Sequence, residues 1–315
     1  MHIPDGFLDA KTALGTGAAA VCGLAVAVRH VRTSLPPRKV PLLGLSAAFV
    51  FAAQMLNFPV LGGTSGHLIG GTLAALLLGP GPAVVVMTAV LLVQCFVFGD
   101  GGVTALGANI INMAIVAPLV GFAGARAVQL LLPSQRGLIA GSAFGAWCSI
   151  VAAAISCAAQ LALSGIVAWQ TVFTAMAGIH MIIGLGEGVI TALVLASVLQ
   201  MRPELLDDHA AVPTHARGRA ISIGLAAAVG LAVFVGPFAS TLPDGLEKVA
   251  EKLGFASVAT PSPLLTAPVP EYELPGLASP VIAVAIGGAL GTVLVFVLSL
   301  LLARLLVPKR RSRQD

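Results

Sequence analysis

Charge is what this sequence has least of. Asp, Glu, Lys and Arg make up 10% of its 315 residues, against about 25% in an ordinary soluble domain, which excludes a solvated globular surface. Aromatic residues are scarce too, with one tyrosine and two tryptophans, and the bases do not interleave with them, so no nucleic-acid-binding patch is indicated. The four cysteines, Cys22, Cys95, Cys148 and Cys157, all lie in apolar runs and form no C-x-x-C pair. A disulfide framework is therefore not indicated. No G-x-x-x-x-G-K-S/T loop and no H-E-x-x-H helix occurs, so the chain carries neither a P-loop ATPase nor a zincin site. The TSGH stretch offers Ser65 as a nucleophile and His180 as a distant base, but nothing else supports a membrane serine protease. The chain does not read as an enzyme, and no catalytic cofactor is indicated.

What is present is apolar. Hydrophobic residues are 57% of the chain and the mean hydropathy is +1.00. A membrane-spanning helix needs about 20 apolar residues, and runs near that length are expected over 12–29, 41–58, 66–80, 83–98, 106–131, 138–163, 171–200, 220–238 and 280–307. The expected fold is an all-α polytopic membrane protein of about nine transmembrane helices. With the N-terminus outside and the C-terminus inside, every basic residue except Lys11, Lys248 and Lys252 falls on the inside, as the positive-inside rule requires. The organisation predicted is a seven-span block (1–200), a cytoplasmic linker (201–219) and a two-span hairpin (220–315) with an external loop at 239–279. Within that loop Leu246, Val249, Ala250 and Leu253 share one face of a short amphipathic helix.

This topology puts two histidines on one side of the membrane. The chain opens MHIPDGFL, with no Lys or Arg in its first ten residues, unlike a secretory leader. His67 lies in the outside loop NFPVLGGTSGHLIGG. A free α-amine, the amide nitrogen of a second-position histidine and its imidazole can chelate one metal in adjacent rings, and His67 could supply a fourth nitrogen. Four planar nitrogens favour Ni(II) or Cu(II) over Zn(II), Mg(II) or Ca(II). A solvated terminal histidine is the plainer alternative. Gln54, Asn57, Thr64 and Ser65 could orient the ligand rings or pack between helices. Asp100 could attract cations or simply turn the chain with the glycine after it. His180 and Glu187 are seven apart, about 10 Å along one helix face. Such a pair could carry ions or pin a neighbouring helix.

MHIPDGFL together with LGGTSGHLIGG resembles the substrate-capture membrane subunit of nickel and cobalt energy-coupling-factor transporters. The cobalt branch usually opens Met-His-Ile-Met-Glu-Gly-Phe, and Pro4 and Asp5 here tilt the choice to nickel. The second block is similar to the small accessory subunit of the same systems, marked by PDGLE at Pro243, Asp244, Gly245, Leu246 and Glu247. The resemblance implies a natural fusion of the two subunits and a seven-helix capture fold. It implies Met1, His2 and His67 as ligands of Ni(II) or Co(II), which is cargo. It also implies partners, namely a transmembrane coupling subunit and a pair of cytosolic ATPases, in a bacterial or archaeal cytoplasmic membrane. The rival expectation is a self-sufficient secondary transporter driven by protons or Na⁺ through His180 and Glu187.

Overall fold

Glycines at left-handed backbone positions decide which apolar runs become full-length helices. The computed structural model describes residues 1–202, 214–260 and 265–307, with side chains described in these ranges except at 214–217. Most of the expected linker (203–213), residues 261–264 of the expected external loop and the basic residues Lys309, Arg310, Arg311 and Arg313 lie outside the described residues. The run expected to span over 41–58 forms α2, Val40–Gln54, of 15 residues, and that over 66–80 forms α3, Gly71–Leu78, of 8. Between them the chain makes a two-stranded antiparallel ribbon, β1 (Phe58–Val60) and β2 (Thr64–Gly66). Gly62 and Gly63 turn it at φ +93° and +69°. α3 ends at Gly79, φ +91°, a conformation that a Cβ disfavours, and Pro80 opens the next helix.

The remaining elements are long. α1 is Ala10–Ser34, started by the Asp9 carboxylate accepting from the Thr12 amide at 3.0 Å. α4 (Pro80–Val93) runs on through a π-helical turn, Gln94–Phe98. α5 (Leu106–Asn109) passes through a π-helical segment, Ile110–Val116, into α6 (Ala117–Leu131). α7 (Gln135–Leu163) and α8 (Trp169–Met201) follow. The second block holds α9 (Thr214–Phe234), α10 (Gly245–Leu253) and α11 (Pro280–Leu306). Among the described residues seven helices are long and apolar enough to cross a membrane, and the chain is a multi-pass membrane protein. Seven is fewer than the nine spans expected, because α2 and α3 are cut short at the ribbon and at Gly79.

α2 and α4 form the centre and bury nearly every face. α1, α8 and α11 carry exposed apolar side chains such as Val26, Leu185 and Leu305, the surface a bilayer solvates. α6 and α7 pack closely because Gly145 lies against the Gly121 carbonyl, where a Cβ would clash; small residues serve this purpose in membrane bundles. α9 and α11 pack on each other and on α2, so the hairpin is joined to the middle of the bundle. α10 is amphipathic as expected. Leu246, Val249 and Ala250 are buried, Leu253 is half-buried, and Asp244 and Glu247 form a reciprocal capping box at its start.

Candidate metal centre

The first seven residues run into the protein rather than over it. Met1, Ile3 and Phe7 are each buried to 3% exposure or less. Asn109, at the entry to the π-helical segment, grips the Ile3 backbone from both sides. Its Oδ1 accepts from the Ile3 amide at 2.8 Å and its Nδ2 donates to the Ile3 carbonyl at 3.1 Å. The Gly102 amide donates to the same carbonyl at 2.9 Å. Asp5 Oδ1 accepts from the Thr104 amide (2.8 Å) and hydroxyl (2.6 Å), and Phe7 meets Phe255 edge-on at 5.2 Å. Ile3, Asp5 and Phe7 thus anchor the strand, and Met1 and His2 are delivered to one point.

At that point the Met1 amine donates to His67 Nε2 at 2.9 Å and to Asp244 Oδ2 at 2.5 Å. His67 Nδ1 lies 3.3 Å from the Leu68 carbonyl, which can only accept, so Nδ1 carries the ring proton and Nε2 offers its lone pair. Burial, then the Met1 ammonium and His2, push the His67 pKa down to about 3, leaving the ring neutral. Burial works against charge on the amine, but Asp244 outweighs it and raises the amine pKa above its ordinary 8.0. Burial would likewise raise Asp244, and the ammonium beside it instead holds that carboxyl well below the usual range.

The His2 ring stacks on His67 with centroids 5.8 Å apart. Its Nδ1 is 3.0 Å from Asp100 Oδ1 and its Nε2 is 3.1 Å from Gln94 Oε1, so both ring nitrogens face acceptor oxygens. Burial alone would raise the Asp100 pKa; His2 and the Tyr272 hydroxyl hold it well below the ordinary carboxylate value. Among the described residues no hydrogen bond engages the His2 amide, and no cluster of three or more His, Cys, Asp or Glu side chains has metal-site geometry. The closest pair of nitrogens here, the Met1 amine and His67 Nε2, includes a main-chain terminus rather than two side chains. Beneath Met1 is a cavity of about 10 Å³, lined by Ser65, His67, His180, Asp244 and Gly245 among others, about the size of one water. A larger open cleft of about 760 Å³ at the α6–α7 turn, lined by Gln129, Pro133, Ser134, Gln135, Leu138 and Leu199, offers no such donors.

The other expected residues divide. Gln54 sits one step behind His2: its Oε1 accepts from Gln94 Nε2 at 2.7 Å and its Nε2 donates to the Ile69 carbonyl at 2.7 Å. Thr64 and Ser65 do not bond the His2 or His67 ring. Their hydroxyls donate to the Pro243 carbonyl (3.0 Å) and the Leu242 carbonyl (2.8 Å), and the Ser65 amide donates to the Pro243 carbonyl at 2.8 Å. They bind the PDGLE segment to β2. Asn57 contributes its backbone carbonyl to the Ser240 amide at 2.7 Å. His180 and Glu187 share a buried face of α8 but do not bond each other. His180 Nδ1 donates to the Met176 carbonyl at 2.8 Å, and Gly245 lies against its ring edge. Glu187 Oε1 accepts from the Gly70 amide at 3.3 Å, and among the described residues its Oε2 has no hydrogen-bond partner. Within PDGLE, Asp244 meets Met1, Gly245 meets His180, and the Glu247 carboxylate accepts from the Asp244 amide at 2.9 Å.

Sequence reasoning missed Gln94, Tyr272 and the grip of Asn109, and left Asp100 between a turn and a cation trap. A lone glutamine inside the apolar run at 83–98 was the available signal for Gln94.

The description "Cobalt uptake substrate-specific transmembrane region" matches residues 2–205, and "PDGLE domain" matches 218–308. The chain belongs to the cobalt-uptake substrate-specific transmembrane family. Within this family the NikMN protein of Archaeoglobus fulgidus is 36% identical over 308 residues, covering 96% of this chain and 98% of its own. The fused nickel transport protein NikMN of Rhodobacter capsulatus is 35% identical, over 73% of this chain and 71% of its own. The cobalt transport protein CbiM 2 of Pelobacter propionicus is 31% identical, over 65% and 94%. A solved structure titled as a truncated transition metal transporter is 38% identical with a TM-score of 0.58, covering 64% of this chain and 99% of that one. Both family matches thus lie one after the other on a single chain.

Proposed function

We propose that this chain captures Ni(II), with Co(II) competing, through the Met1 amine, the His2 amide nitrogen and imidazole, and His67. The observation that carries this reading is the 2.9 Å approach of the Met1 nitrogen to His67 Nε2, beside the stacked His2 ring. In the metal-free arrangement a proton of the ammonium occupies the His67 lone pair. Loading requires the amine to lose that proton and the His2 amide to lose its own, so metal binding releases protons.

Of the two imidazole nitrogens only Nδ1 closes a six-membered ring with the amide nitrogen and a metal. Asp100 faces that nitrogen, so the metal must take Nδ1 from Asp100. The cargo enters from the outside face and leaves to the cytoplasm. Four nitrogens hold such an ion tightly, and release needs a state of lower affinity. A transmembrane coupling subunit and a pair of cytosolic ATPases supply that energy in the bacterial or archaeal cytoplasmic membrane. The PDGLE segment, reaching Met1 through Asp244, acts on loading. Deleting residues 220–315 should then lower uptake.

The deciding experiment is metal analysis of the purified chain with a free N-terminus. Ni(II) should bind one per chain, and His2→Ala, His67→Ala and an alanine inserted between Met1 and His2 should each abolish capture. Normal binding by the insertion variant would remove the amine from the ligand set. A second reading, self-sufficient transport coupled to protons or Na⁺, is favoured by one observation, the unpartnered Glu187 Oε2. It requires uptake by this chain without ATPase partners, abolished by Glu187→Gln. The capture reading requires uptake only with them.

A further inference from the structure

The imidazole of His2 is held from the accessory block as well as from the capture block. Tyr272, the sole tyrosine of the chain, lies between α10 and α11. Its hydroxyl donates to Asp100 Oδ2 at 2.5 Å, while Asp100 Oδ1 lies 3.0 Å from His2 Nδ1. Gln94 Nε2 donates to the same hydroxyl at 3.2 Å, and Gln94 Oε1 lies 3.1 Å from His2 Nε2. His2, Asp100, Tyr272 and Gln94 therefore close a ring of hydrogen bonds.

The phenol is fixed independently of that ring. It stacks on Phe98 at 4.7 Å and 17°, and tilts against Phe51 at 5.8 Å. Its backbone carbonyl seats on Gly287 of α11, where a Cβ would clash. Glu271 and Tyr272 hold φ of +51° and +64°, a region that non-glycine residues keep only where the surroundings over-determine it.

The metal needs His2 Nδ1, and taking it leaves the Asp100 carboxylate short of one partner. Asp100 is part-buried, with 28% of its side chain exposed, so losing a hydrogen-bond partner there costs less than in a dry interior but is still unfavourable. The Tyr272 hydroxyl bonds the other oxygen and is untouched by that exchange. We propose that Tyr272 is a positioning residue of the metal site: it holds Asp100 whether or not His2 is bound to it, so that the accessory block eases the transfer of His2 to the metal. This inference rests on the Met1–His2–His67 reading of the site.

Tyr272→Phe keeps the ring and its stacking and removes only the donor. Loss of a group that orients a metal ligand typically costs about 10–100-fold in affinity, and about tenfold weaker Ni(II) binding is expected by calorimetry, beside the lower melting temperature that loss of a hydrogen bond to a charged group brings. In an Asp100→Asn chain the same substitution should change affinity by less than about twofold, since the two side chains act as one unit. Ni(II) should also shift the tyrosine absorption band of the parent chain, and Tyr272→Phe should abolish that difference signal. Parent-like affinity in Tyr272→Phe, or a full tenfold loss in the Asp100→Asn background, overturns the proposal. The His2→Ala chain separates the two levels. If it still binds Ni(II), the ligand assignment falls and the role of Tyr272 with it. If it does not, while Tyr272→Phe binds normally, only the role of Tyr272 falls.

Discussion

Asp244 Oδ2 lies 2.5 Å from the amino nitrogen of Met1, which is 243 residues earlier in the chain. The pairing joins the first residue of the capture block to the cap of α10 in the accessory block. It also explains why one aspartate does two jobs: Oδ1 caps the helix by accepting from the Leu246 and Glu247 amides at 2.7 and 2.9 Å, and Oδ2 remains for the amine.

The pH dependence of metal capture follows from that pair. The amine pKa is raised above 8.0 and that of Asp244 is depressed below 3.8. The amine's contribution to metal-free stability is full below its unfolded value and is lost as pH rises through the folded one. The carboxylate's is full above its unfolded value and is lost as pH falls through the folded one. The pair is therefore complete between about pH 4 and 8, where its proton competes with metal. Ni(II) affinity should rise with pH above neutrality, and Asp244→Asn should move that rise to lower pH. Ni(II) titrations across a pH series measure both; an unmoved midpoint in Asp244→Asn contradicts the competition.

The grip of Asn109 on Ile3 gives a second expectation. Asn109→Ala strands a buried amide, and an unsatisfied buried group costs about 1–3 kcal/mol. The melting temperature should fall, and on the proposed ligand set Ni(II) affinity should fall with it, because Met1 and His2 lose the anchor next to them. Hydrogen exchange at residues 1–8 reads the same loosening. An N-terminal segment as protected as in the parent chain would show that Asp5 and Phe7 suffice.

The contact of Gly245 with His180 gives a third. A Cβ at Gly245 would lie 2.7 Å from both Cε1 and Nε2 of His180. Gly245→Ala should therefore lift α10 and cost about 1–3 kcal/mol, as overpacking does. Removing the obstacle should repair it: Gly245→Ala with His180→Ala should melt above Gly245→Ala alone. Additive losses in the double variant would place the strain elsewhere.

Much of this arrangement was legible before the structure. Scarce charge and long apolar runs gave the membrane bundle, because burial in lipid leaves a compositional mark. The amphipathic pattern gave α10 for the same reason, since Leu246, Val249 and Ala250 repeat at helical spacing. The lengths of α2 and α3 were not legible, because a glycine inside an apolar run does not announce its φ. Met1, His2 and His67 could be named as candidates from the chemistry of an N-terminal histidine. Asp100, Gln94 and Tyr272 could not be grouped, since nothing in a linear sequence links positions 94 and 272. Thr64 and Ser65 were sought beside the ligand rings and lie instead under Leu242 and Pro243, a pairing made by tertiary contact alone.

The seam between β2 and the PDGLE segment has a kinetic meaning. As a separate subunit, the accessory block would meet the capture block at a rate set by its abundance in the membrane. Carried on the same chain, it docks at an effective concentration fixed by the connection, which can exceed either partner's free level by orders of magnitude. Each N-terminal block therefore has one PDGLE block at hand, and the supply of Asp244 and Tyr272 does not depend on how many copies of a second protein the cell makes.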